Sequence, residues 1–251
     1  MANSPVPVLT IDGPVASGKG TVARRVAEAL GFHLLDSGAI YRAHAFACLR
    51  QNTNANDIKA LEDTAKVLAL EFLGDQVWID GANATQEIRA EAVGLAASAL
   101  SAIPDVRAAL LQRQRDFAKA PGLVADGRDM GTVVFPDAAL KIYLTTTAHE
   151  RATRRALQVV ASLGTTNSPK QLIEKGNSDT ILGSLGLESP LRSADAVRAQ
   201  VEAQIRQRDA QDKSRAIAPL RPAAGAIVID NANHTPEQTV AGVLALWRLR
   251  R

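Results

Sequence analysis

Five short apolar runs organise the chain: Val6 to Ile11, His33 to Leu35, Leu123 to Ala125, Leu140 to Leu144, and Ala226 to Ile229. Each is continuous instead of alternating, as expected of strands covered on both faces in a parallel sheet. Stretches with helical spacing separate the runs, so the pattern predicts an α/β fold on a five-stranded parallel sheet. Four of the runs are followed at once by an acid, Asp12, Asp36, Asp126 and Asp230. In open α/β sheets ligands gather at the carboxyl ends of strands, so these acids mark the edge where a site belongs. The last helical stretch, from Thr235 to Arg250, has complete end signals. Thr235 caps it, Pro236 occupies the first turn, Gln238 completes a capping box, and Arg248 and Arg250 close the C-terminal turn.

Two connections are too long for simple crossovers. The first, residues 42–122, holds helical segments and a hairpin around Val77 to Ile79 with a turn at Asp80 and Gly81, and reads as an inserted subdomain. The second covers residues 149–222. Its middle, Gly164 to Ser193, is rich in Gly, Ser, Asn and Thr and poor in periodicity, and predicts a mobile lid or an irregular loop. The expected organisation is one domain over residues 1–251, with a core sheet, the insertion and the lid.

Composition narrows the function classes. With 46% hydrophobic and 22% charged residues in 251, the chain is globular and lies outside the disordered and fibrous classes. A single cysteine, Cys48, excludes a disulfide framework and a Cys-rich zinc module, and itself reads as a small buried hydrophobe. There is no basic leader with an apolar run and no stretch of about 18 apolar residues, so neither secretion nor a membrane span is expected, and the cytoplasm is the default compartment. Net charge is only +3, yet 21 of the 29 basic residues are arginine. No basic run occurs apart from Arg248, Arg250 and Arg251, and aromatic residues make up 4%, which argues against a nucleic-acid surface. The arginine excess fits bidentate recognition of phosphate or carboxylate, and equally a coding bias; composition leaves the two even. His33, His44, His149 and His234 have no metal-ligand spacing, and no Ser, His, Asp set points to acyl transfer.

The strongest local signal follows the first strand: Gly13, Pro14, Val15, Ala16, Ser17, Gly18, Lys19, Gly20, Thr21, then a helical stretch from Val22 to Leu30. This is G-x-x-x-x-G-K between a strand and a helix. Glycines let the backbone curl so that N–H groups face phosphate oxygens, the helix start adds its positive dipole end, and Lys19 supplies a point charge. Gly20 stands where the common motif has a metal-binding Ser or Thr, which leaves Thr21, or substrate and water, to serve. A dinucleotide fold would also place an acid where Asp36 lies, but the all-glycine form G-x-G-x-x-G is absent, and such a fold has no use for Lys19.

The segments IDGPVASGKGT, LLDSGAIYR, SALSAIPDVR, ADGRDMGTVVFPDA and RAIAPL together resemble the bacterial cytidylate kinase family, P-loop nucleoside monophosphate kinases. The resemblance spans nearly the whole chain and weakens from about Gly164 to Ala194. It implies a P-loop core with a nucleotide-binding insertion and a lid, transfer of the ATP γ-phosphate to CMP or dCMP, Mg²⁺ accompanying ATP, no nucleic-acid or membrane partner, and a monomer. Carried over by position, it implies that Lys19, Arg128 and Arg215 act on the phosphates, and that Gly13 to Thr21 cradle those of ATP. It assigns Ser37, Arg42 and Arg128 to the acceptor's phosphate, Ser98, Arg107 and Asp129 to cytosine, and Arg208 and Asp212 to the ribose. No direct metal ligand is implied; Thr21 and Asp126 would act through water. A carboxylate such as Asp129 can accept from the cytosine amino group, whereas uracil would face it with a carbonyl.

Helical spacing gives a separate reading of part of this set. In a helix from Val197 to Ala216, Val197, Val201 and Ile205 form an apolar stripe continued by Arg208, Asp212 and Arg215, while Arg198, Glu202, Arg206, Asp209 and Lys213 take the opposite, solvent side. Charges on the inward stripe are costly unless paired or met by a ligand; an internal pair between Arg208 and Asp212 is the alternative to a cleft. Ser98 and Arg107, in an alanine-rich segment, read as surface residues without the resemblance. Asp36 can simply cap the next helix. Arg154 and Arg155 either meet ATP or lie on an exposed helix face. Gln211 and Lys213 depart from the family's arginines.

Overall fold

The computed structural model describes residues 6–74, 76–162 and 194–250. All five predicted strands form: β1 (Val8–Asp12), β2 (His33–Asp36), β6 (Leu123–Gly127), β7 (Leu140–Thr145) and β8 (Ile227–Asp230) make one parallel sheet in the order β2-β6-β1-β7-β8. Register brings the acids to one edge, with Asp36 beside Asp126, and Asp12 beside Gly127 and Tyr143.

Alternation along each strand supplies two cores, one per face. Leu123 and Ala125 pack with Leu35, Ile40, Tyr41 and Met130 under α2 (Ser37–Arg50), α4 (Glu91–Leu100) and α5 (Pro104–Arg115). Val124 turns the other way and joins Leu9, Ile11, Leu140, Ile142 and Leu144 beneath α1 (Lys19–Leu30) and α8 (Pro236–Arg248). Burial on both faces explains why β1, β6 and β7 read as unbroken apolar runs, whereas the edge strand β8 leaves Val228 exposed on one face. The end signals of α8 hold: Thr235 accepts from the Gln238 amide, Gln238 returns a bond to the Thr235 amide, and Pro236 begins the helix.

Between α2 and β6 the chain builds α3 (Ile58–Val67) and a separate antiparallel sheet of β3 (Leu70–Leu73), β4 (Gln76–Ile79) and β5 (Ala82–Asn83), then α4 and α5. Asp80 and Gly81, both at positive φ (50° and 76°), make the tight turn between β4 and β5, the geometry that favours Asp-Gly. The predicted start of the insertion at Arg42 falls inside α2, which runs unbroken to Arg50 because its first turns are tied to the core sheet through Ile40 and Tyr41. After β7, α6 (Ala148–Ser162) packs along α7 (Ala194–Ser214). The predicted lid segment from Gly164 to Ser193 lies outside the described residues. Among the described residues, no single helix is long and apolar enough to cross a membrane.

Candidate active site

The phosphate loop joins β1 to α1 at the carboxyl edge of the sheet. Gly18 sits at φ 87°, in the left-handed region that only glycine enters without strain, and so lets α1 begin directly at Lys19. The Lys19 amine is buried and donates to the Pro14 carbonyl across the loop at 3.1 Å. Burial pushes this amine below its ordinary range, as does Arg128, while Asp126, Asp36 and Asp212 oppose the shift. The Asp126 carboxyl is pushed up by burial, against the pull of Lys19.

Asp12, at the end of β1, reaches sideways to the segment after β6. Its two carboxylate oxygens accept from the Met130 and Gly131 amides, each at 2.8 Å. Burial nevertheless pushes its carboxyl up to about 6, because two backbone bonds only partly offset the loss of water. This anchor fixes the turn that carries Arg128 and Asp129.

Those two residues open the charged half of the cleft. Asp129, 4% exposed, pairs with the buried Arg107 guanidinium, which also donates to the Ser101 carbonyl at 3.1 Å and lies over the Tyr41 ring at 5.8 Å. Burial pushes the Asp129 carboxyl up, and Arg107 counteracts it. Arg128 Nε donates to Asp212 Oδ2 at 3.1 Å, and Arg215 Nη2 lies 2.5 Å from Asp212 Oδ1 and donates to Ser101 Oγ at 2.9 Å. Asp212 therefore serves Arg128 and Arg215, and the alternative of an internal Arg208–Asp212 pair does not form. Arg208 instead faces Glu91 at 3.9 Å, and Glu91 takes Arg155 at 2.6 Å. Arg42 donates to the Ile88 carbonyl at 3.2 Å against the open face of Gly94. Burial lowers the Arg42 guanidinium, as do Arg208 and Arg155 nearby, with Glu91 opposing. Ser37 Oγ donates to the Asp126 carbonyl at 2.8 Å.

The fold thus brings Arg107 together with Asp129, Arg128 and Arg215 together with Asp212, and Arg42 toward Arg208. Ser98 is half-buried on α4 and contributes its carbonyl to Ser101 Oγ. Asp36 does cap α2, accepting from the Ala39 amide at 3.0 Å. Arg155 meets Glu91, and Arg154 meets the phosphate loop and Asn231, so neither is an idle surface residue. Cys48 is buried, as expected.

One expectation is overturned. Asp209, placed on the solvent side of its helix, is 9% exposed and takes both guanidinium nitrogens of Arg151, at 3.0 and 2.5 Å. The reason is α6, which packs on that face of α7 and brings Arg151 with it; Arg151 also donates to the Val15 carbonyl at 3.1 Å, bracing the phosphate loop from outside. Helical spacing finds which residues share a face, and a second helix decides how many faces are covered. Sequence reasoning also missed Glu91, which reads as an ordinary acid in a first helical turn, and Asn231, which carries no motif.

The carboxyl edge also offers oxygen donors to a divalent cation. Asp126 Oδ1 is buried with no hydrogen-bond partner, and a Cβ at Gly20 would sit 3.2 Å from Asp126 Oδ2. Beside them lies a cavity of about 190 Å³ lined by Gly20, Thr21, Arg24, Leu34, Asp36 and Asp126. Two carboxylates and a hydroxyl are hard oxygen donors that suit Mg²⁺, so the residues fit.

Known proteins match this sequence along nearly its whole length. The family model described as cytidylate kinase matches residues 9–178 and 188–249. Over 242 residues the chain is 50% identical to the cytidylate kinase of Bordetella bronchiseptica, covering 96% of this chain and 95% of that protein. It is 49% identical to the cytidylate kinase of Bordetella pertussis, over 96% and 95% of the two chains, and 48% identical to that of Chromobacterium violaceum, over 95% and 94%. With its phosphate loop, its carboxyl-edge acids and matches of this extent, the chain belongs to the cytidylate kinase family.

Proposed function

We propose that this protein transfers the γ-phosphate of ATP to CMP or dCMP, giving ADP and CDP or dCDP. The observation that carries this reading is the buried Arg107–Asp129 pair, on the segment that Asp12 anchors at the end of the strand leading into the phosphate loop, offering an acceptor and a set of donors to one planar base. Asp129 would take the cytosine amino group, and Arg107 and Ser98 would meet its carbonyl and ring nitrogen. Arg208 and Asp212 would hold the ribose, and Ser37, Arg42 and Arg128 the acceptor phosphate.

Phosphoryl transfer asks for alignment and charge neutralisation more than for acid or base groups. A phosphate acceptor has a second pKa of about 6, so at pH 7 it is already largely ionised and needs no general base. A cleft of arginines and one lysine suits that requirement. The amides of Gly13 to Thr21 and the Lys19 amine would hold the β and γ phosphates, while Arg128 and Arg215 offset charge on the transferred group. Arg215 would exchange Ser101 and Asp212 for phosphate as it does so. Mg²⁺, held by Thr21 and Asp126 through water, would supply neutralisation of the ATP phosphates. The segment between α2 and β6 acts as the acceptor-binding insertion and residues 149–222 as the lid that excludes water, which otherwise competes as acceptor. The enzyme works as a cytoplasmic monomer.

ADP production with CMP, dCMP, UMP, AMP and GMP, measured side by side, tests this. CMP and dCMP should lead, with little ATP hydrolysis when no acceptor is added. A rate with UMP equal to that with CMP, or rapid ATP turnover alone, would contradict the proposal.

A further inference from the structure

Asn231 follows β8 at the carboxyl edge and touches the phosphate loop from the side opposite the acceptor cleft. It is 4% exposed. Its side-chain amide donates through Nδ2 to the Ser17 carbonyl at 2.9 Å and accepts through Oδ1 from Arg154 Nη1 at 3.2 Å. A carbonyl can only accept and a guanidinium can only donate, so the amide fits one way round. The Asn231 backbone is clamped as well: its N–H donates to the Thr145 carbonyl at 3.0 Å, and its carbonyl accepts from Arg154 Nη2 at 2.9 Å. Arg154 Nη1 also reaches the Ser17 carbonyl, at 3.4 Å.

The Ser17 carbonyl and the Gly18 N–H belong to one planar trans peptide unit, so they point in opposite directions. Whatever fixes the carbonyl aims the N–H. A buried carbonyl must find a donor, and here that donor is a side chain 214 residues away, on a different element of the sheet. Gly18, at φ 87° and ψ 3°, offers no resistance of its own to rotation of this peptide. We propose that Asn231 is a positioning residue for the donor nucleotide: it holds the Ser17 carbonyl outward so that the Gly18 N–H is presented to the phosphates of ATP, with Arg154 completing the bracket. The proposal rests on the ATP-dependent reading above and deepens it by adding a residue to the donor side.

Isosteric substitution separates this role from simple packing. Asn231→Asp keeps Oδ1 for Arg154 but sets a second acceptor against the Ser17 carbonyl; Asn231→Ala removes both bonds. Turnover of the unsubstituted protein with ATP and CMP first checks the kinase reading. Isothermal titration of each variant with ATP and, separately, with CMP then checks this inference, whichever acceptor the enzyme prefers. Both variants should bind ATP about 5- to 30-fold more weakly, with Asn231→Asp at least as impaired as Asn231→Ala, while CMP affinity stays within about 2-fold. Should one variant fail to fold, Asn231→Ser, which retains a donor, should lie between Asn231→Ala and the unsubstituted protein in ATP affinity. Unchanged ATP affinity, a parallel loss of ATP and CMP affinity, or an Asn231→Asp variant that binds ATP normally would each overturn the proposal.

Discussion

On the donor side of the cleft, the groups that would meet phosphate are backbone amides of one contiguous loop, and the side chains behind them, Arg151, Arg154 and Asn231, bond to loop carbonyls. On the acceptor side, most of the proposed recognition groups are charged side chains already paired with another: Arg107 with Asp129, Arg128 with Asp212, which also holds Arg215, and Arg208 with Glu91, which also holds Arg155. On the proposed reading, the loop amides are organised before a nucleotide arrives, whereas the acceptor side would exchange ion pairs for substrate. Such exchange keeps buried charges compensated in both states, which matters because a lone buried charge costs several kcal/mol. It also makes recognition specific, since a base that cannot replace the broken contacts leaves charges unpaired.

The largest effect should come from the donor side. Lys19→Ala removes the one charge the loop carries and should lower kcat/KM by about 10³-fold or more with CMP and UMP alike. Thermal stability should hold, because the lost amine is a desolvated one whose ammonium form burial disfavours. Steady-state kinetics with a melting curve checks this; a loss confined to one acceptor would blur the distinction between the two halves.

Asp12 links the halves, and its raised carboxyl gives a pH test. Between the unfolded value of 3.8 and about 6, the folded protein holds a proton that the unfolded chain has lost. Stability from this group is therefore greatest at low pH and declines as pH rises through that window, by on the order of 2 to 3 kcal/mol in all. Urea unfolding of the unsubstituted protein and of Asp12→Asn at pH 4 to 7 should show their stability difference shifting in favour of Asp12→Asn as pH rises. A difference independent of pH would mean that Asp12 ionises normally.

The smallest effect concerns Glu91. Replacing it by Gln removes a counter-charge from the neighbourhood of Arg42, Arg155 and Arg208, so CMP should bind about 3- to 10-fold more tightly, roughly 1 kcal/mol, at a similar cost in stability. Calorimetric titration with CMP measures it, and weaker CMP binding would show that Glu91 supports the acceptor site instead of competing within it.

The same contrast explains what the sequence disclosed. A loop made of consecutive residues between a strand and a helix is visible as a motif, and the three inner strands were visible because both of their faces are covered. The acceptor side draws Arg42, Arg107, Asp129, Arg208 and Asp212 from separate elements, so spacing placed only the last two on one helical face, and the family resemblance was needed for the rest. Glu91, Asp209 and Asn231 were illegible for one physical reason: each acquires its role from a partner on a distant element, Arg155 and Arg208, Arg151, and Ser17, and nothing in its own neighbourhood announces that partner. Eight of the arginines, Arg42, Arg107, Arg128, Arg151, Arg154, Arg155, Arg208 and Arg215, are held by acids or backbone carbonyls around the proposed site and its loop.

The most direct test of the claim that paired charges on the acceptor side become its recognition contacts is the ratio of kcat/KM for CMP over UMP, before and after Asp129→Ala. The ratio should fall by about 10- to 100-fold, matching the roughly 1 to 3 kcal/mol of discrimination carried by a good polar base contact. An unchanged ratio would contradict it and place base recognition elsewhere.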